Sequence, residues 1–218
     1  FVAFLDVLGF STLIANDRGG NLLQEYVSVL RRTLQPTREW SGKLEYLVFS
    51  DSIVILAEGN DTDALRALAR GCSYLFGEFL KHDIAIRGAI AYGEYLSEKN
   101  LDEGHFVAGR AIVEAYSFEQ RQNWVGIMLA PSVVKQLPNL RSACALSQAP
   151  YMHDQMIDWV GQNEERVRFA AYIQPCNVPF KSGESSINHY KGYAILPSVG
   201  IARVRSIATS LQSSIDLL

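Results

Sequence analysis

The sequence is poor in the residues that build disulfides and zinc sites. Among its 218 residues only three are cysteines and four are histidines. The cysteines, Cys72, Cys144 and Cys176, are odd in number and lack the spacing of metal ligands, which favours a reducing compartment without structural disulfides. The histidines are scattered along the chain, so a zinc site is not expected. These absences predict a cytoplasmic protein.

Long apolar runs and an excess of basic residues are also missing. No run reaches the roughly 20 residues that a membrane-spanning helix takes, so no membrane association is expected. The 20 Lys and Arg residues against 23 Asp and Glu give a net charge of −3. This balance argues against a nucleic-acid-binding surface. Residues 1–5 lack the basic segment and cleavage site of a targeting sequence, and are expected to form a buried strand instead.

The hydrophobic pattern predicts one α+β domain over residues 1–218. The first 93 residues follow the order strand, helix, strand, strand, helix, strand. That order favours a ferredoxin-like βαββαβ core with an antiparallel sheet and both helices on one face. A second, identical subunit is then the natural cover for the other face. The predicted strands are 1–6, a hairpin at 43–57, 84–91, 103–108, 124–129 and 190–196; the predicted helices include 109–119 and 199–218.

Two carboxylates are predicted to meet at one edge of this sheet. Asp6 ends the first strand, and Asp51 lies in the hairpin turn between the next two strands. In a βαββαβ sheet the first and third strands are neighbours, so both side chains can reach one point. Two carboxylates this close repel unless a cation lies between them, and oxygen ligands favour Mg²⁺ or Mn²⁺ over zinc. Taken alone, each turn is more often ordinary turn chemistry than a metal site.

The residues that follow Asp6 are predicted to begin a helix. The peptide N–H groups of Leu8, Gly9, Phe10 and Ser11 would face outward there, and Gly9 permits close approach of the backbone. A helix N-terminus favours anions. A metal pair beside it would suit a triphosphate.

Four segments together resemble the class III adenylate and guanylate cyclases. Residues 4–11 are similar to the first metal motif of that family, and residues 49–54 are similar to the second. The two acidic residues are separated by 45 positions, a typical spacing in the family. Residues 87–93 match the next strand of the family, and residues 109–116 match the helix that follows. The resemblance covers residues 1–129.

The residues of two of these motifs, Phe-Ser-Asp-Ser-Ile and Arg-Gly-Ala-Ile, are most similar to those of the pyrimidine cyclases of bacterial Pycsar anti-phage systems. The resemblance implies a homodimer with sites shared between subunits, and two Mn²⁺ or Mg²⁺ ions per site. It implies Asp6, Asp51 and the carbonyl of Val7 as the metal ligands. The implied reaction converts UTP, or in second place CTP, to its 3′,5′-cyclic monophosphate and pyrophosphate. The product would be sensed by a downstream effector.

The sequence departs from the older cyclases at several positions. Their base-selecting positions fall on Leu47, with Tyr46 beside it, and on Phe106, so an apolar pocket for a pyrimidine is expected. Their Asn and Arg on the helix after Gly109 are replaced by Val113 and Ser117. Either another cation replaces that arginine, with Arg110 and Arg121 nearby in sequence, or the chain is inactive.

Two other functions stay open at this stage. One is a degenerate cyclase-like domain that binds nucleotide, or only dimerises, and regulates a partner. The other is a purine cyclase of ordinary signalling. Turnover of individual nucleoside triphosphates separates the three.

Overall fold

The computed structural model describes residues 1–17, 19–34, 44–82, 84–101, 104–122, 125–138, 157–160, 166–169, 171–179 and 189–197. The first half of the chain is a βαββαβ unit in which the first crossover contains two helices. Its elements are β1 (Val2–Val7), α1 (Phe10–Asn16), α2 (Asn21–Thr33), β2 (Leu44–Phe49), β3 (Ser52–Ala57), α3 (Thr62–Lys81) and β4 (Ile86–Ala91).

The described residues of the second half form a hairpin, two helices and five further strands. These elements are β5 (Tyr95–Leu101), β6 (Gly104–Gly109), α4 (Arg110–Gln120), β7 (Gly126–Leu129), α5 (Pro131–Gln136), β8 (Ile157–Val160), β9 (Arg166–Phe169), β10 (Ala171–Pro179) and β11 (His189–Pro197).

The main sheet has seven strands in the order β10-β11-β7-β4-β1-β3-β2. Its β4-β1-β3-β2 portion is antiparallel throughout and confirms the predicted ferredoxin-like core. The strand β7 is added parallel to β4, so the C-terminal addition departs from a purely antiparallel sheet. Gly88 permits the close approach of β4 to β1, because a Cβ atom there would lie 2.6 Å from the carbonyl oxygen of Phe4.

One face of the sheet packs against α2 and α3 and forms the main core. Alternate residues of β1, Ala3, Leu5 and Val7, lie in this core, as period-two alternation requires. Asp61 caps α3, since its carboxylate accepts a hydrogen bond of 2.8 Å from the N–H of Ala64. The predicted placement of both crossover helices on one face is thus confirmed.

The opposite face is partly covered within the chain, which corrects one expectation. The helix α4 packs over β1 and β4, where Ala115 is buried with Ala91, and Phe4 and Phe118 pack around them. The hairpin β5–β6 covers the β2 side, since Tyr95, Val107 and Leu47 pack around buried Val2 and Leu56. Sequence periodicity gives the length of α4 but not the face on which it packs.

The strands of the second half agree with the sequence prediction only in part. The strand β5 was not predicted, because its sequence YLSEKNL is mostly polar, and among the described strands it pairs with β6 alone. The strands β8 to β10 were also missed, whereas the strand predicted at 190–196 is confirmed as β11. The helix predicted at 199–218 lies outside the described residues. No helix in the described part of the chain has the length and apolar character needed to cross a bilayer.

Candidate active site

Asp6 and Asp51 lie beside each other at the end of β1, because the β1–β3 register brings the hairpin turn next to this strand end. Asp6 pairs with Ser52 in the β1–β3 register, and the N–H of Val7 donates a hydrogen bond of 3.1 Å to the carbonyl of Asp51. The Asp6 side chain is 18% exposed, and Asp51 is also only partly buried. Neither carboxylate is therefore enclosed in the core.

The charges of Asp6 and Asp51 affect the pKa values of groups at this site. Burial, the charge of Glu119 and the charge of Asp51 raise the pKa of Asp6 to about 6, against the opposing effect of Arg87. Burial and the charges of Asp51 and Asp6 also raise the pKa of Tyr26 to about 12. Negative charge thus accumulates at this point. A divalent cation would relieve it, which is the condition that a metal site needs.

The donor set fits a hard divalent ion. Carboxylate oxygens of Asp6 and Asp51 are the ligands that Mg²⁺ and Mn²⁺ prefer, and the Val7 carbonyl is predicted to add a third oxygen. No cluster of three or more His, Cys, Asp or Glu side chains suited to a metal occurs among the described residues. Such a site would therefore need oxygens from backbone, substrate or water, as is usual for Mg²⁺.

Arg87 connects Asp6 to the helix α4. Its Nη2 lies 3.5 Å from the carboxylate of Asp6, and its Nη1 donates a hydrogen bond of 3.0 Å to the carbonyl of Gln122. Its Nε lies 2.5 Å from the carboxylate of Glu119, which is fully buried. This last contact is an ion pair and not an aligned hydrogen bond. Arg87 therefore bridges a partly exposed and a buried carboxylate.

Sequence reasoning missed Glu119 and Gln122 as neighbours of the site. A signal for Glu119 exists, since it continues the buried i, i+4, i+8 stripe of Ala111 and Ala115. A carboxylate on a buried stripe needs partners, and here these are the guanidinium of Arg87 and the side-chain amide of Gln120. Gln122 donates a hydrogen bond of 2.5 Å to the carbonyl of Gly88, which links the end of α4 to β4.

Of the four N–H groups predicted to bind an anion at the start of α1, one already has a hydrogen-bond partner in the structure. Gly9 adopts a left-handed conformation with φ 70 as the N-cap, and its carbonyl accepts the first helical hydrogen bond, from Leu13. The N–H of Leu8 already donates to the carbonyl of Ala85 at 2.9 Å, which corrects its expected role toward phosphate. The expectation therefore applies to Gly9, Phe10 and Ser11, whose positions at a helix start leave their N–H groups without intrahelical acceptors.

The three residues predicted for the nucleobase pocket lie on different surfaces in the described part of the chain. Tyr46 packs against the main core on the helix-covered face, whereas Leu47 packs under the hairpin on the other face. Phe106 alternates with the inward-facing Val107 and is 47% exposed on the outer side of the hairpin. The prediction placed adjacent strand residues in one pocket, although successive side chains point to opposite faces. Tyr46 and Leu47 therefore lie on opposite faces of the sheet.

The helix α4 carries the two expected substitutions on its solvent side. Val113 is 67% exposed, and Ser117, one turn further on, is also exposed. Of the alternative cations, Arg110 is exposed at the start of the helix, and the guanidinium of Arg121 lies 5.3 Å from the ring centre of Phe118. Arg87 on β4, by contrast, contacts the carboxylate of Asp6 directly.

The raised pKa of Asp6 predicts how stability depends on pH in the metal-free protein. The ordinary value is 3.8 and the folded value is about 6, so the folded state binds this proton more tightly than the unfolded chain. The free energy of unfolding in EDTA should then fall by roughly 1–3 kcal/mol as pH rises from about 4 to about 6.

Urea denaturation of the wild type and of Asp6→Asn over this range tests that prediction. The variant should lose this part of the pH dependence, whereas Asp63→Asn, an exposed acid on α3, should keep it. An unchanged profile in Asp6→Asn would show that Asp6 has no raised pKa.

The overall structure is similar to solved adenylyl cyclases. The adenylyl cyclase CyaB from P. aeruginosa matches with a TM-score of 0.54 and 12% identity, over 91% of this chain and 94% of that chain. A bacterial light-regulated adenylyl cyclase matches with a TM-score of 0.51 and 13% identity, over 98% of this chain and 96% of that one. Neither a protein-family model nor a curated protein sequence matches significantly. The chain therefore has the class III nucleotide cyclase fold.

Proposed function

We propose that this protein is a nucleotide cyclase that converts UTP, or in second place CTP, to the 3′,5′-cyclic monophosphate and pyrophosphate. The observation that carries the proposal is the convergence of Asp6 and Asp51 at one edge of a cyclase-type sheet. In the reaction the ribose 3′-oxygen bonds to the α-phosphorus, the bond to the β-phosphate breaks, and the hydroxyl proton is released.

Asp6, Asp51 and the carbonyl of Val7 would hold two Mn²⁺ or Mg²⁺ ions. Bound there, the ions supply Lewis acidity at the 3′-hydroxyl and charge neutralisation at the triphosphate. The N–H groups of Gly9, Phe10 and Ser11 would orient the phosphates. Arg87 keeps Asp6 in place and limits the negative charge beside the substrate.

A homodimer with shared sites is part of the proposal. Apolar side chains are exposed on the outer side of the hairpin at Leu96 and Phe106, and on α4 at Val113 and Tyr116. A second subunit placed over this face would bury them and could complete the nucleobase pocket. The exposed ring of Phe106 would then pack against the smaller pyrimidine base, whereas Leu47 lies on the inner side of the hairpin.

The residues of the sequence motifs further support a role as an anti-phage signalling enzyme in the cytoplasm. The cyclic nucleotide that the enzyme makes would activate a separate effector. The alternative is a degenerate cyclase-like domain that binds nucleotide or dimerises without turnover. The exposed Val113 and Ser117 favour this alternative, because neither side chain can stabilise the charge of a pentacoordinate phosphorus transition state as an arginine would.

Incubation of the purified protein with Mn²⁺ and each of the four nucleoside triphosphates separates these functions. We expect pyrophosphate and cyclic UMP from UTP, or the corresponding products from CTP. Pyrophosphate from ATP or GTP alone would contradict the pyrimidine assignment and support a purine cyclase. No pyrophosphate from any of the four would support the degenerate domain.

A further inference from the structure

Tyr26 connects the helical layer to the turn that carries Asp51. Its side chain is 4% exposed on α2, stacked on Phe79 with ring centres 5.4 Å apart and an interplanar angle of 11°. Phe10 packs against the same ring, also at 5.4 Å. The ring is thus fixed by two aromatic neighbours. Its hydroxyl donates a hydrogen bond of 2.9 Å to the carbonyl of Ser50.

The residue that receives this hydrogen bond has an unusual backbone. Ser50 has a φ of 57. It is the one residue other than glycine that has a positive φ in the described part of the chain. A left-handed conformation is uncommon for a residue with a Cβ atom and persists where surrounding contacts hold it. The Tyr26 hydroxyl is such a contact.

Both peptide groups that flank the Asp51 Cα atom are therefore anchored. The peptide before it is held through the Ser50 carbonyl by Tyr26, and the peptide after it is held through the Asp51 carbonyl by the N–H of Val7. Two fixed peptide planes fix the direction of the Cα–Cβ bond between them. The direction in which the Asp51 carboxylate leaves the turn is thus set from two sides.

We propose that Tyr26 is a positioning residue that aims the Asp51 carboxylate at the divalent cations of the active site. The inference rests on the proposed function, since it assumes that Asp51 binds metal. Tyr26 does not touch the ions or the substrate. It acts through the Ser50–Asp51 peptide, in the way that outer-shell partners orient metal ligands.

Tyr26→Phe removes the hydroxyl and keeps the ring with its aromatic contacts. A matched control is Thr33→Val on the same helix, because the buried Thr33 hydroxyl also donates to a backbone carbonyl, that of Val29, at 2.7 Å. The direct readout is the dissociation constant for Mn²⁺, measured by calorimetric titration of the full chain in the presence of UTP lacking a 3′-hydroxyl. Thermal unfolding of both variants is measured in parallel.

We expect Tyr26→Phe to weaken Mn²⁺ binding about tenfold and to raise the Mn²⁺ concentration for half-maximal cyclisation by the same factor. Thr33→Val should bind Mn²⁺ as the wild type does, even if it unfolds at a lower temperature. Unchanged Mn²⁺ affinity in Tyr26→Phe would overturn the inference and leave Tyr26 a structural residue, with the proposed function intact. Failure of the wild type itself to bind Mn²⁺ would overturn both.

Discussion

Asp51→Ala is expected to lower the rate of cyclisation by at least about 100-fold. Loss of a residue that only orients a metal ligand typically lowers activity by about 10–100-fold, and Asp51 is proposed as a direct ligand. The fold should persist. The contact that joins the turn to β1 uses the Asp51 carbonyl, which the substitution keeps. Removal of one of two neighbouring negative charges also relieves repulsion at Asp6.

Initial rates of pyrophosphate release at saturating Mn²⁺, together with circular dichroism, measure this effect. The matched control is Glu58→Ala, which removes an exposed carboxylate just beyond the far end of β3. Glu58→Ala should cyclise at the wild-type rate. Full activity in Asp51→Ala would refute the metal assignment.

Arg87→Met is expected to be the most destabilising single substitution near the site. It leaves the fully buried carboxylate of Glu119 without its ion-pair partner. Removal of one partner from a buried pair typically costs about 3–5 kcal/mol, because the remaining charge stays buried. The free energy of unfolding in urea should fall by about that amount.

Two further variants make the test specific. Lys99→Met breaks an exposed pair with Glu45, in which the lysine side chain is 63% exposed, and should cost at most about 1 kcal/mol. The double variant Arg87→Met with Glu119→Met should recover most of the lost stability, because an apolar pair replaces the buried ions. Equal losses for Arg87→Met and Lys99→Met would show that Glu119 does not depend on Arg87.

The features that sequence predicted well are those encoded by neighbouring residues. The apolar run of β1, the alternation in β2 and the Ser50–Asp51 turn fix the βαββαβ core locally, and strand order in that core then brings Asp6 to Asp51.

The features that sequence missed depend on contacts between distant elements. Whether α4 covers the second face depends on packing of Ala115 against Ala91, which no local pattern contains. Tyr26 fits an apolar stripe on α2, and only the fold shows that its hydroxyl reaches Ser50. Tyr46 and Leu47 are predicted for one pocket from the motif alignment, whereas strand alternation places their side chains on opposite faces of the sheet.

The most direct test of the central claim is a Mn²⁺ titration in the presence of UTP lacking a 3′-hydroxyl, followed by electron paramagnetic resonance. The wild type should bind two ions per active site, and both Asp6→Asn and Asp51→Asn should lose tight binding. Wild-type stoichiometry and affinity in the two variants would show that these carboxylates do not hold the metal ions, and would contradict the proposed cyclase mechanism.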